Sequence, residues 1–189
     1  FDGVKKIIEF LSEAHKRHNG FDWVVDITHP FAILISQYLK EACFSVGQPL
    51  IRYERPVERL ANAAFINSAK ELTSFDLTGE RILMAIGSRY LKDFAMASKE
   101  AGADVYARVL PTPESLRCAL DSRIESNRLA VFRPFPGKSH GVLEEALCSQ
   151  WRISGVLFRQ SGGKVERFWN QISLRRKLSL FVILRPPVV

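Results

Sequence analysis

Arg81-Ile82-Leu83-Met84-Ala85-Ile86-Gly87-Ser88-Arg89 decides the fold. Ile82 to Ile86 run apolar without interruption, and a glycine, a serine and a helix-period stretch follow at once. A strand that is apolar on both faces is buried on both faces, the condition of a parallel sheet covered by helices. The unit recurs downstream. Short β-branched runs predict strands over 104–109, 129–133, 154–159 and 180–184, with helices over 89–101, 113–121, 141–151 and 164–177 between them. Upstream, Val4, Ile7, Ile8, Leu11 and Ala14 share one face of a helix over 3–17. Strands follow over 23–27 and 50–53, and Pro30 is placed at the first position of a helix between them. A further helix is expected within 62–73. The fold class is α/β: two Rossmann-like lobes with mainly parallel sheets flanked by helices. Thr78-Gly79 puts the boundary so that 1–77 forms the N-terminal lobe, incomplete at its start, and 78–189 the C-terminal lobe.

Composition excludes several classes. The 189 residues are 47% hydrophobic and 25% charged, a globular balance and not that of a disordered chain. The longest uncharged run, 27–39, has 13 residues and contains His29 and Pro30, against about 20 apolar residues for a membrane span. Three widely spaced cysteines, Cys43, Cys118 and Cys148, form no Cys-x-x-Cys pair and no zinc-like spacing with histidine. They read as reduced thiols in helices, which makes a cytoplasmic location the expectation. The net charge of +7 is uneven: residues 1–77 hold nine basic and ten acidic residues, and 152–189 hold eight basic residues against Glu166. That asymmetry suits an anionic ligand. No nucleic-acid motif accompanies it, which argues against nucleic acid as the partner.

In sheets of this kind ligands bind beyond the carboxyl ends of the strands, so the turns after strands carry the chemistry. Asp26-Ile27-Thr28-His29-Pro30-Phe31-Ala32 offers a carboxylate, a hydroxyl and an imidazole, and equally a simple helix cap. Arg52-Tyr53-Glu54-Arg55-Pro56 sets two guanidinium groups around a phenol, for an anion or for internal pairing with Glu54 or Glu58. Gly87-Ser88-Arg89 allows close backbone approach, with Ser88 as a helix cap. Arg108-Val109-Leu110-Pro111-Thr112-Pro113 joins a strand end to a capped helix. Arg159-Gln160-Ser161-Gly162-Gly163-Lys164 is a plausible anion cradle at a helix N-terminus. Gly137-Lys138-Ser139 is not a P-loop, because Phe132 stands where its first glycine belongs. No Gly-x-Gly-x-x-Gly fingerprint, metal-binding helix or serine elbow is present.

Taken in order, Asp26-Ile27-Thr28-His29-Pro30-Phe31-Ala32, Arg52-Tyr53-Glu54-Arg55-Pro56, Gly87-Ser88, Arg108-Val109-Leu110-Pro111 and the closing Arg185-Pro186 resemble the precorrin-6A reductase family of cobalamin (corrin) biosynthesis. The resemblance spans 26–189. It implies two Rossmann-like lobes with the ligands between them, and no flavin or catalytic metal. The implied reaction is hydride transfer from NADPH or NADH to precorrin-6A or its cobalt-containing counterpart. A tetrapyrrole with several carboxylates and a cofactor with phosphates would give the basic turns their partners.

On that basis Asp26, Thr28, His29 and Tyr53 are the candidates for substrate positioning or protonation. Arg52, Arg55, Arg89, Arg159 and Lys164 are candidates for substrate binding. Gly87, Ser88, Arg108, Thr112, Ser161, Gly162 and Gly163 are candidates for the cofactor. The family's opening strand and glycine-rich turn have no counterpart here, so the chain is expected to lack that N-terminal segment. The family's Lys-x-Ser-Gly is Arg159-Gln160-Ser161-Gly162, and its Gly-Pro-Phe turn is Arg133-Pro134-Phe135-Pro136. Two other readings stay open: a non-catalytic relative that holds a tetrapyrrole or nucleotide, and a basic protein binding nucleic acid through 152–189.

Overall fold

The structure is a computed structural model and describes residues 3–60, 62–135 and 141–187. Gly137-Lys138-Ser139 lies outside the described residues. The chain divides into two compact units, 1–56 with 185–189, and 57–184.

In the first unit, helix α1 (Val4–His18) and helix α2 (Ile33–Ser45) pack on a pair of parallel strands, β1 (Val24–Asp26) and β2 (Leu50–Arg52). The apolar stripe foreseen on α1 is what they bury: Ile7 and Leu11 meet Ala42 and Cys43, with Val24 and Leu50 beneath. Helix α2 begins three residues later than Pro30 suggests. The Ala32 N–H bonds the His29 carbonyl at 2.7 Å and closes a turn containing Pro30, and only then does the helix start.

The second unit carries a six-stranded, wholly parallel sheet. Its strands are β3 (Ala63–Ile66), β4 (Arg81–Ala85), β5 (Asp104–Val109), β6 (Leu129–Val131), β7 (Gly155–Arg159) and β8 (Ser179–Ile183), in the order β3-β8-β7-β4-β5-β6. Between them run α3 (Ala69–Leu72), α4 (Leu91–Glu100), α5 (Pro113–Asp121), α6 (Val142–Gln150) and α7 (Lys164–Arg176). Alternation along the strands divides the core. Leu83, Val156, Phe158 and Val182 pack with Cys148 of α6 and with Trp169 and Ile172 of α7. On the opposite face Ile82 lies near Gly155 and Phe181. The central strands are buried on both sides, as their unbroken apolar runs require.

The boundary at 77/78 gives way to one at 56/57, and the helix expected in 62–73 is a strand followed by one helical turn. Both differences have one cause. Residues 63–66 pair with 180–183 of β8, over a hundred positions away, and a local pattern does not report such a pairing. The other strands and helices of this unit match the sequence reading to within two residues, except that a 3-10 turn, Ser88–Tyr90, precedes α4.

The three cysteines are free and helical; Cys43 and Cys148 are buried and Cys118 is partly so. Burial pushes the Cys43 thiol up and that of Cys148 to about 12. Among the described residues no helix is long and apolar enough to cross a membrane.

Gly141, at φ +91°, starts α6 under the ring of Phe168, where an added Cβ would sit 1.9 Å from a ring carbon. Gly141→Ala is expected to lower unfolding stability by about 2 kcal/mol or more, through steric overpacking and the left-handed backbone. A urea midpoint equal to wild type would contradict this packing.

Candidate functional site

Two strand-end constellations emerge, one in each unit. In the first unit, Asp26 and Arg52 are register partners on neighbouring parallel strands. That pairing builds a charge ladder. Arg52 Nη1 donates to Asp26 Oδ2 at 2.6 Å and also to the Ser36 hydroxyl, while Arg52 Nε donates to Glu54 Oε1. Arg185 Nη1 donates to Glu54 Oε2 at 3.1 Å and to the Arg55 carbonyl at 3.0 Å. The Thr28 N–H completes the set on Asp26 Oδ1 at 2.9 Å.

Asp26 is only 2% exposed. Burial alone would raise its pKa. The Thr28 N–H, the Thr28 and Ser36 hydroxyls and the Arg52 guanidinium outweigh burial and hold the carboxyl below its usual range. Arg52 is shifted the opposite way: burial opposes its charge, and bonds and attraction from Glu54 and Asp26 more than compensate.

The ladder forms one wall of a cleft of about 100 Å³, with Pro30, Lys40, Leu50 and Pro186 around it. His29 accepts the Phe31 N–H on Nδ1 at 3.2 Å, which places the proton of the neutral ring on Nε2. Tyr53 is exposed, and its N–H is tied to the Asp26 carbonyl at 3.0 Å. Arg55 is exposed and makes no ion pair among the described residues.

In the second unit the chain proceeds from β4 outward through β5 to β6, then crosses to β7 on the other side of β4. A switch point therefore lies between β4 and β7, the place where such sheets bind ligands. The turns at its two sides are those singled out in the sequence. Gly87 leaves β4 at φ +81°, and a Cβ there would lie 3.6 Å from Arg159 Nη2 at the end of β7. The guanidinium of Arg159 stands over the Tyr90 ring at 5.8 Å. Its pKa is lowered chiefly by burial, with Arg89 adding to the shift and Tyr90 opposing it.

Ser161 and Gly162 are buried, whereas Gly163, at φ +66°, has open space where a Cβ would project. Lys164 and Arg89 are exposed beside these turns. Ser88 does not cap a helix. Its hydroxyl accepts from Ser115 Oγ at 3.3 Å, and Thr112 Oγ1 caps α5 through the Ser115 N–H at 3.2 Å. Arg108 stands apart from the turns. It lies in β5, partly buried, 3.7 Å from the buried carboxylate of Glu144 and over the Phe132 ring, and loss of solvent lowers its pKa.

Arg185, Ser36 and Ser115 were missed as site residues. The closing Arg185-Pro186 was visible as a motif, but its return to Glu54 was not. Part of the C-terminal charge is also spent internally: Arg167 pairs with Glu58, and Arg175 and Arg176 pair with Glu145.

The family model described as precorrin-6x reductase CbiJ/CobK matches residues 3–189. The cobalt-precorrin-6A reductase of Synechocystis sp. is 32% identical over 180 residues, covering 92% of this chain and 67% of that protein. That of Salmonella typhimurium is 35% identical over 157 residues, covering 78% and 56%. The precorrin-6A reductase of Mycobacterium tuberculosis is 28% identical over 190 residues, covering 98% and 70%. A solved structure titled CobK precorrin-6A reductase shares the fold, with a TM-score of 0.74 at 22% identity, over the whole of this chain and 72% of that one. The chain belongs to the CbiJ/CobK precorrin-6x reductase family, oxidoreductases of cobalamin biosynthesis.

Proposed function

We propose that the protein containing this chain reduces precorrin-6A or cobalt-precorrin-6A with NADPH or NADH, and that the β4/β7 switch point holds the nucleotide. The observation that carries the reading is the meeting of two glycine turns, 87–88 and 161–163, on adjacent parallel strands. The residues fit such a group: Gly163 has open space before it, α7 presents its first-turn N–H groups there, and Arg159 and Lys164 supply positive charge. A nicotinamide nucleotide supplies hydride when bound. Gly87, Ser88, Ser161 and Gly163 hold its phosphates in this reading, Gly162 lets the turn between them form, and Thr112 fixes the neighbouring Ser115 and Ser88. Arg108, partly buried beside Glu144, supports the sheet behind them.

In the first unit Arg52 is fixed on three sides by Asp26, Ser36 and Glu54, so its geometry is set before any substrate arrives. Its Nη2 makes no hydrogen bond among the described residues and is the nitrogen offered to a substrate carboxylate, with Arg55 beside it. A cleft of about 100 Å³ admits a carboxylate side arm and not a macrocycle. His29 offers its Nε2–H to the substrate as a hydrogen-bond donor, and Tyr53 orients the substrate.

Steady-state kinetics of the full-length protein test these roles. His29→Ala is expected to lower kcat by about 10²-fold, the usual cost of losing one preorganised hydrogen-bond donor at developing charge, with the nucleotide KM unchanged. Turnover equal to wild type removes His29 from the reaction.

The Asp26 carboxyl makes a pH prediction. Its folded-state pKa is depressed, so its stabilisation is complete above the unfolded value and is lost as pH falls through the folded one. Unfolding midpoints measured from pH 7 down to pH 2 are expected to fall less steeply at the acid end for Asp26→Asn than for wild type. Parallel acid limbs would show that Asp26 does not contribute in this way.

A further inference from the structure

Glu166 lies in the first turn of α7, wholly buried, and is used by none of the roles above. Its Oε1 accepts the Gly162 N–H at 2.7 Å, and its Oε2 accepts the Glu58 N–H at 2.8 Å. It makes no ion pair among the described residues. A buried carboxylate without a cation is costly, and two backbone donors offset only part of that cost.

The arrangement has a second anchor. The Glu58 side chain accepts from Arg167 Nη1 at 2.6 Å, so residue 58 is fixed to α7 by both its backbone and its side chain. Gly162 and Gly163 both have positive φ, 74° and 66°, and two successive glycines have the largest conformational freedom to lose on ordering. One carboxylate removes that freedom at Gly162 and ties the turn to Glu58, 108 residues before Glu166 in sequence.

We infer that Glu166 is the positioning residue of the Ser161-Gly162-Gly163 turn. It consumes the Gly162 N–H and thereby fixes which donors, Gly163 N–H and the first N–H groups of α7, face a phosphate-bearing nucleotide. The ligand part of this inference rests on the reading of the preceding subsection; the positioning part does not. Charge and position make opposite claims here. A buried negative group behind an anion site repels the anion, so Glu166→Gln tightens nucleotide binding if charge dominates. If position dominates it weakens binding, because the two N–H groups are accepted by different carboxylate oxygens and the amide puts an NH2 donor in place of one of them.

The test is hydrogen–deuterium exchange and NADPH titration on the whole chain, wild type against Glu166→Gln. Exchange in 160–163 is expected to rise about tenfold, as for loss of one charge-assisted hydrogen bond, with β4 and β8 unchanged. The dissociation constant for NADPH is expected to rise by a similar factor. Glu166→Asp keeps the charge but is one methylene too short to span both donors. It is expected to loosen the turn equally, and it carries the test where the glutamine variant fails to fold. A folded variant with unchanged exchange at 160–163, or one that binds NADPH more tightly, overturns the inference. A wild-type chain that binds no nucleotide while Glu166→Gln still loosens the turn overturns the ligand assignment and supports the positioning role.

Discussion

The parallel ladder between β4 and β7 is the constraint on which the second unit depends. It brings Ile82–Ala85 against Gly155–Phe158, two segments with β5 and β6 between them in the chain. Once these two strands are neighbours, β5 and β6 can only extend one way and β8 and β3 the other. The turns after β4 and β7 are then forced to the same edge at the point where the connections diverge. A parallel sheet also requires both faces covered, which sets the burial of Leu83 and Phe158 against α6 and α7. Position and stability therefore come from the same pairing.

The first unit rests on a different economy. Its sheet has two short strands, and its helices cover one side with a small core around Ile7, Leu11, Ala42 and Cys43. Polar order replaces apolar bulk at the strand ends: Asp26, Arg52, Glu54 and Arg185 alternate in sign, and each charge is answered by a neighbour. Such a ladder fixes side-chain geometry more than it adds stability, because the desolvation of each charge opposes the attraction. A fixed guanidinium is what recognition of a carboxylate needs.

The strands of the second unit were legible because burial on both faces writes an unbroken apolar run. The 104–109 strand and the 113–121 helix coincide with their predicted bounds, and Thr112 with Pro113 marks the start of α5 chemically. The glycine turns were legible too, since a strand that ends in glycine and serine before a helix is a local signal. What was not legible was long-range. The pairing of β3 with β8, the return of Arg185 to Glu54 and the approach of Arg108 to Glu144 depend on partners far away in sequence. A basic residue one place before a strand's end reads as a ligand contact, and the α6 carboxylate beside Arg108 is not written in that local pattern.

The claim at the centre is that the edge of the sheet at β4 and β7 receives the nucleotide. Amide chemical shifts of the isotope-labelled chain, followed during titration with NADPH and then NADH, test it directly. The account predicts saturable shifts at Gly87, Ser88 and 161–164. Shifts confined to the ends of β1 and β2, or no binding of either nucleotide, would contradict it.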